Sequence, residues 1–146
     1  MKREDVVQAA RGWLGTPYVH QMAVKGAGCD CLGLVRGVWR EVLGEEPALP
    51  PAYTMDWSEA SGDERLWQAA EAHLTSKSRD RFESGDVVLF RMRQRSVAKH
   101  LGIIGRDDHS PSFMHAYNRY GVVESPLTRP WARRIVAAFE FPEGLS

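Results

Sequence analysis

"GCDCLGLVRGVW", residues 28–39, holds both cysteines of the 146-residue chain, Cys29 and Cys31, one residue apart and running straight into an apolar pattern. Cys31, Leu34, Val35, Val38, Trp39, Val42 and Leu43 follow the three-and-four spacing of a buried helix face, with Asp30 where an N-cap belongs and Gly44 where a helix should stop. The pattern predicts a helix that opens on Cys31. The free backbone N–H groups and the dipole at that end favour a thiolate, so one reading of Cys31 is a nucleophile. The other is the first residue of a core stripe, since free cysteine is among the most buried residue types. This stretch alone leaves both open.

Two further uses of the thiols fit less well. A disulfide across a single residue closes a very small ring against the spacing and torsions that the bond requires. Zinc would have to draw its other ligands from His20, His73, His100, His109 or His115, which carry no paired spacing of the kind zinc sites use.

Upstream, Val6, Val7, Ala10 and Leu14 recur at helical spacing and end at Gly15, predicting a first amphipathic helix. Downstream, "LGEEPALPPAYTMDWSEA", rich in proline and aromatics, reads as a surface connection. In "SGDERLWQAAEAHL" Ser61 and Glu64 have capping-box spacing ahead of Leu66, Trp67, Ala70 and Leu74, predicting a third helix. After Arg81 the pattern changes to short β-rich runs: "DVVLFRM", "HLGIIG", "SFMHAY", "YGVVES" and "RRIVAAFEF", parted by polar turns. Helices first and strands afterwards predict one α+β domain over residues 1–146, an antiparallel sheet packed on the Cys31 helix. No internal repeat and no low-complexity segment interrupts it.

The strands supply a partner for the thiol. If "HLGIIG" and "SFMHAY" form a hairpin turning at Asp107 and Asp108, His100 falls opposite His115. Alternation then puts His100, Gly102 and Ile104 on the same face as Phe113, His115 and Tyr117, with opposed Cβ atoms about 5 Å apart. A lone strand histidine is ordinarily a satisfied structural residue. Two facing histidines after a helix-N-terminal cysteine make a different constellation: a thiolate to attack a carbonyl, His100 to protonate the leaving amine, and His115 to fix the imidazole. His73 falls on the third helix and His109 in the turn, while His20 is near the cysteine but is not assigned as the base.

Composition limits the function. Net charge is zero and the chain is of ordinary globular make-up, which points to neither a nucleic-acid surface nor a polyanionic partner. The N-terminus lacks the layout of a secretion signal and no apolar run reaches the roughly 20 residues of a membrane span, so synthesis in the cytoplasm is expected. Local basic groups, Arg91, Arg93, Arg95 and Lys99, lead into His100; they read either as a solvated hairpin tip or as contacts for a carboxylated substrate.

Five segments in order, "GTPYVHQ", "GCDCLGLV", "SGDVVLF", "KHLGII" and "SFMHAYN", resemble the NlpC family of papain-like bacterial cell-wall cysteine peptidases over nearly the whole chain. "CDCLGLVRGVWRE" looks most like the short members encoded with tail genes of phages and gene transfer agents. The resemblance implies a papain-like fold, here with N-terminal helices on a five-stranded antiparallel sheet. It also implies Cys31 as nucleophile, His100 as base, His115 as the orienting residue, and Tyr18 near the oxyanion region beside the Cys31 backbone N–H. Asp30 matches the family's D-C pair. Three positions depart from the common pattern: Leu32 stands in place of a serine, "VHQM" replaces an apolar-glycine stretch after Tyr18, and Cys29 replaces a bulky apolar residue. Cys29 reads as core.

The implied reaction is hydrolysis of an amide in the peptidoglycan stem peptide, most often between D-γ-glutamate and the diamino acid, without a cofactor or metal. The implied setting is a phage-like tail: assembled with tail-tip or hub proteins and acting in the periplasm of a target cell, with no nucleic acid or membrane as partner. Two other classes remain beside it. One is a tail-assembly protein that keeps the fold without activity, and the other is a papain-like acyltransferase or thioesterase.

Overall fold

The computed structural model describes residues 2–50, 53 and 62–142. Half of the proline- and aromatic-rich connection, together with Ser61 of the expected capping box, lies outside the described residues.

Helix α1 spans Arg3–Arg11 and buries Val6, Val7 and Ala10. It stops short of the expected Gly15. Beyond Arg11 the chain leaves helical phase, so the continued spacing misplaces Leu14, which is 43 % exposed, while Trp13 enters the core in its stead. The Trp13 indole lies on Gly37 of the next helix, where an added Cβ would come within 1.9 Å of the ring, and its Nε1–H donates to Glu41 at 3.0 Å. A two-stranded hairpin that the sequence did not announce follows, β1 (Ala23–Val24) with β2 (Gly28–Cys29).

Helix α2, Cys31–Val42, matches its expectation. Asp30 is the N-cap, its Oδ1 accepting from the Gly33 N–H at 2.7 Å, and Gly44 takes the left-handed backbone (φ +97°) past the C-terminus. Helix α3 covers Arg65–His73, burying Leu66 and Ala70. Its N-cap is Glu64, so the capping-box expectation fails. Glu64 instead receives the Ala98 N–H at 2.7 Å and the Arg91 guanidinium, tying α3 to the sheet.

Among the described residues the main sheet has six strands, each antiparallel to its neighbours, in the order β3-β8-β4-β5-β6-β7. These are β3 (Thr75–Lys77), β4 (Val87–Phe90), β5 (His100–Arg106), β6 (Ser112–Tyr117), β7 (Gly121–Pro126) and β8 (Ile135–Glu140). A one-turn helix α4, Arg129–Ala132, joins β7 to β8. The α+β class stands, but the five-stranded sheet gains a sixth, β3, a three-residue polar edge strand without the apolar alternation that marks a strand in sequence.

The sheet separates two apolar clusters. One holds Leu101, Ile103, Met114 and Phe139 under α1, α2 and α3 and includes both cysteines. The other, on the opposite face, groups Val88, Phe90, Ile104, Phe113 and Ile135 beneath Trp131. "SGDVVLF" enters β4 through Gly85 (φ +86°) and Asp86. Asp86 is fully buried, and its carboxylate receives Arg3 at 2.6 Å, Lys77 at 2.7 Å and the Glu83 N–H at 2.7 Å. Arg3 also reaches Glu140 at 2.8 Å, so a single carboxylate cluster fastens α1, β3 and β8 at one corner.

Candidate active site

Cys31 begins α2, and His100 begins β5, an interior strand of the sheet. Both line one cleft of about 190 Å³ together with Tyr18, His20, Asp30, Tyr53, Met92, Lys99, Ala116, Tyr117 and Asn118. The Cys31 thiol points at the carbonyl of Lys99, 3.8 Å away, the residue immediately before His100.

His100 and His115 do meet, Nε2 to Nδ1, at 2.7 Å. The register that brings them together differs from the expected one. Ile103 pairs with Met114 and Ile104 with Phe113, and the ladder slips between Ile104 and Arg106, so the strands run two residues out of the register centred on Asp107 and Asp108. His115 therefore lies diagonal to His100 rather than opposite it. A two-residue shift keeps the faces, which is why the pair survives.

His115 is buried (1 % exposed), and its Nε2 lies 2.9 Å from Ser125 Oγ. One arrangement of these bonds suits a base. With Ser125 accepting from His115 Nε2–H, His115 Nδ1 is bare and accepts from His100 Nε2–H, which leaves His100 Nδ1 unprotonated for another partner. Sequence analysis did not assign Ser125. Strand alternation carries the signal: in β7, Val123 pairs with His115 and Ser125 with Phe113, placing Ser125 on the histidine face.

On the other side of the thiol, Asp30 (2 % exposed) is held by three donors: the Gly33 N–H, the Gln21 N–H at 2.7 Å and the Tyr53 hydroxyl. The Gln21 backbone is left-handed (φ +64°), and its side-chain amide donates to the Tyr53 carbonyl at 2.5 Å. His20 Nε2 meets that same carbonyl at 2.9 Å and His20 Nδ1 lies 3.8 Å from Asp30, so His20 joins this wall and stands apart from the His100 pair. Tyr53 is a cleft residue that sequence analysis left inside a connection, where nothing in the local pattern distinguishes it.

Tyr18 pairs in an isolated parallel bridge with Cys29 and so is fastened to β2, the strand that leads into Cys31. Burial, with Cys31 and Asp30 nearby, pushes its phenol up to about 12, so it is a proton donor at neutral pH. Cys29 is fully buried and, like Cys31, a free thiol.

The helix N-terminus favours a thiolate at Cys31, and burial opposes it. Burial and the neighbouring Asp30 charge push the Cys31 thiol up to about 12, outweighing the backbone N–H groups of Leu32 and Leu101 that pull it down. Burial, with His115 adjacent, lowers His100 to about 3, and burial lowers His115 to about 4. Burial thus favours the neutral thiol and the neutral imidazole. Of the basic cluster, Lys99 lines the cleft, whereas Arg91 turns to Glu64 and lies 5.9 Å from the Trp67 ring.

This frame agrees with the comparisons. Residues 15–140 match the model of the NlpC/P60 family, and the chain belongs to that family. The fold is similar to the NlpC/p60 domain of the peptidoglycan hydrolase SagA (20 % identity, TM-score 0.67), covering 97 % of this chain and all of that one. It is similar also to an NlpC/P60 family protein from Bacillus cereus (16 %, TM-score 0.68) and to a lipoprotein-like NLP/P60 protein from Staphylococcus aureus (19 %, TM-score 0.63). Each match covers 97 % of this chain, but only 40 % and 42 % of those two chains. No curated protein matches the chain.

Proposed function

We propose that the chain is a peptidoglycan hydrolase that cleaves an amide in the stem peptide, the D-γ-glutamyl bond to the diamino acid, with Cys31 as nucleophile. The observation that carries this is the shared cleft: a thiol at a helix N-terminus beside an imidazole whose Nε2 is already engaged by His115. Family membership and the peptidoglycan-hydrolase neighbour support the substrate class.

In this mechanism His100 Nδ1 removes the thiol proton as Sγ attacks the amide carbon, and the carbonyl oxygen becomes an oxyanion. The Cys31 backbone N–H and the Tyr18 hydroxyl donate to it. His100, now an imidazolium, returns the proton to the amide nitrogen, the C–N bond breaks, and the amine leaves. Water, deprotonated by the same imidazole, then releases the acid from the thioester. Because burial favours the neutral pair, proton transfer accompanies attack rather than preceding it. Cys31 carries the covalent step and His115 holds the base through its Nδ1 bond.

The test is mass spectrometry of purified Gram-negative muropeptides after incubation with wild-type protein and with Cys31→Ala. Paired fragments present only with wild type support the proposal, and their masses name the bond; intact muropeptides with both overturn it. The tail setting rests on the resemblance of "CDCLGLVRGVWRE" to phage-type members, with synthesis in the cytoplasm and delivery to a target cell's periplasm. Absence of the protein from purified tail-bearing particles removes that part.

A further inference from the structure

A pair of aromatic rings stands on the cleft's rim that the hydrolytic mechanism does not use. Tyr117, which lines the cleft, stacks on Tyr120 with ring centres 5.7 Å apart and planes 13° apart. Tyr117's ring also lies 5.3 Å from His115, so the stack continues the row of side chains that carries the histidines. Tyr120 ends that row, and it is 71 % exposed. A large flat apolar surface is thus presented to solvent next to the reacting groups.

The backbone is built to hold it there. The Tyr120 N–H donates to the Tyr117 carbonyl at 3.0 Å, closing a tight turn whose third residue, Arg119, has a left-handed backbone (φ +76°) where glycine or asparagine is usual. Gly121 follows at φ +73°, and a Cβ there would come within 2.4 Å of the Thr16 carbonyl oxygen. Thr16 in turn accepts the Val122 N–H at 2.9 Å, and Gly15 donates to Val122 at 3.0 Å. The tyrosine turn is therefore tied to the segment that leads into Tyr18, on the cleft's other wall.

We infer that the Tyr117–Tyr120 stack is a subsite for a pyranose ring of the substrate, the sugar to which the stem peptide is attached. The chemistry fits one class of ligand: the C–H face of a hexopyranose lies flat on an aromatic ring, while the phenol and the Asn118 amide at the rim offer hydrogen bonds to its hydroxyls. The inference rests on the peptidoglycan reading for its substrate. It adds that the enzyme takes stem peptides still joined to glycan in preference to free peptides.

Calorimetry tests this with the Cys31→Ala protein, which holds substrate without cutting it, and two probes: a disaccharide tetrapeptide from Gram-negative peptidoglycan and the same tetrapeptide without sugar. The disaccharide form is expected to bind about five- to tenfold more tightly, the range of one good aromatic stack. With Tyr120→Ala added, that ratio falls to about one. Tyr120→Trp keeps it and Tyr120→Leu loses it, which separates a flat ring from simple greasiness. A ratio near one in the parent, no binding of the disaccharide form, or a ratio that survives Tyr120→Ala overturns the subsite. Wild-type protein that cleaves neither probe removes the hydrolase reading instead, and the binding ratio still decides the subsite.

Discussion

His100 and His115 share a 2.7 Å hydrogen bond although their strands do not place them opposite one another. The diagonal leaves room for the rings to meet edge to face, 77° apart, with His115 reaching on to Ser125. With Ser125 accepting, this chain of two bonds leaves His100 Nδ1 bare.

That chain predicts graded losses. His115→Ala removes the acceptor for His100 Nε2–H and is expected to lower kcat about 100-fold, within the usual span for a misplaced general base. Ser125→Ala removes one neutral hydrogen bond and is expected to lower kcat about three- to tenfold with KM unchanged, and Ser125→Thr restores it. Steady-state kinetics on a single purified muropeptide separates the two parameters. A Ser125→Ala enzyme with raised KM and unchanged kcat contradicts the tautomer argument.

Cys31 reactivity should follow burial and Asp30 rather than the helix dipole. With the thiol near 12, alkylation by iodoacetamide is slow at neutral pH and climbs about tenfold per pH unit without a plateau up to pH 10. Asp30→Asn keeps the N-cap acceptor but removes the charge, so alkylation at pH 8 speeds up. Asp30→Ala also strips the cap and is expected to cost about 1–3 kcal/mol of stability. Peptide mapping assigns the label, and a wild-type rate that levels off below pH 9 contradicts the buried neutral thiol.

Acid should destabilise the fold earlier than its carboxylates require. His100 and His115 have folded values near 3 and 4, below the unfolded value near 6.5, so the unfolded chain takes up protons first. Their contribution to stability is complete above about pH 6.5 and is lost as pH falls toward 4, with a net uptake approaching about two protons on unfolding. Urea titrations at pH 7, 6 and 5 measure the slope. Wild type and His115→Asn losing stability equally over that range refutes it.

At the far corner, Asp86→Asn removes the buried acceptor of Arg3 and Lys77, which keep Glu83 and Glu140, and is expected to cost about 1–3 kcal/mol. Glu83→Gln, whose ion pairs sit at the surface, is expected to cost less than about 1 kcal/mol. Chemical denaturation compares the two. Equal losses show that the cluster acts through surface charge alone.

Much of this was legible in advance because the relevant signals are periodic. The α2 face, its Asp30 cap and the two histidine-bearing strands each repeat over enough residues to show, and face is preserved under a two-residue error in register. What stayed hidden depends on tertiary partners. Glu64 has capping-box spacing, yet Ala98 and Arg91 claim its carboxylate; Leu14 continues a helical stripe, yet the helix has already ended. Tyr53 and β3 have no period to betray them. The thiol's protonation stays open in the sequence for a related reason: the dipole is a property of the helix alone, whereas desolvation belongs to everything packed over it.

Cys31 belongs to the apolar cluster under the helices, whereas the His100 and His115 rings lie against Phe90, Phe113 and Trp131 of the cluster on the opposite face. The reacting centre is thus a seam, closed only where β5 begins. Loosening the smaller cluster around Phe113 and Trp131 would detune the base while α2 stays seated; loosening the larger would shift the nucleophile under an undisturbed base. The seats of the thiol and of the imidazole are therefore open to adjustment one side at a time.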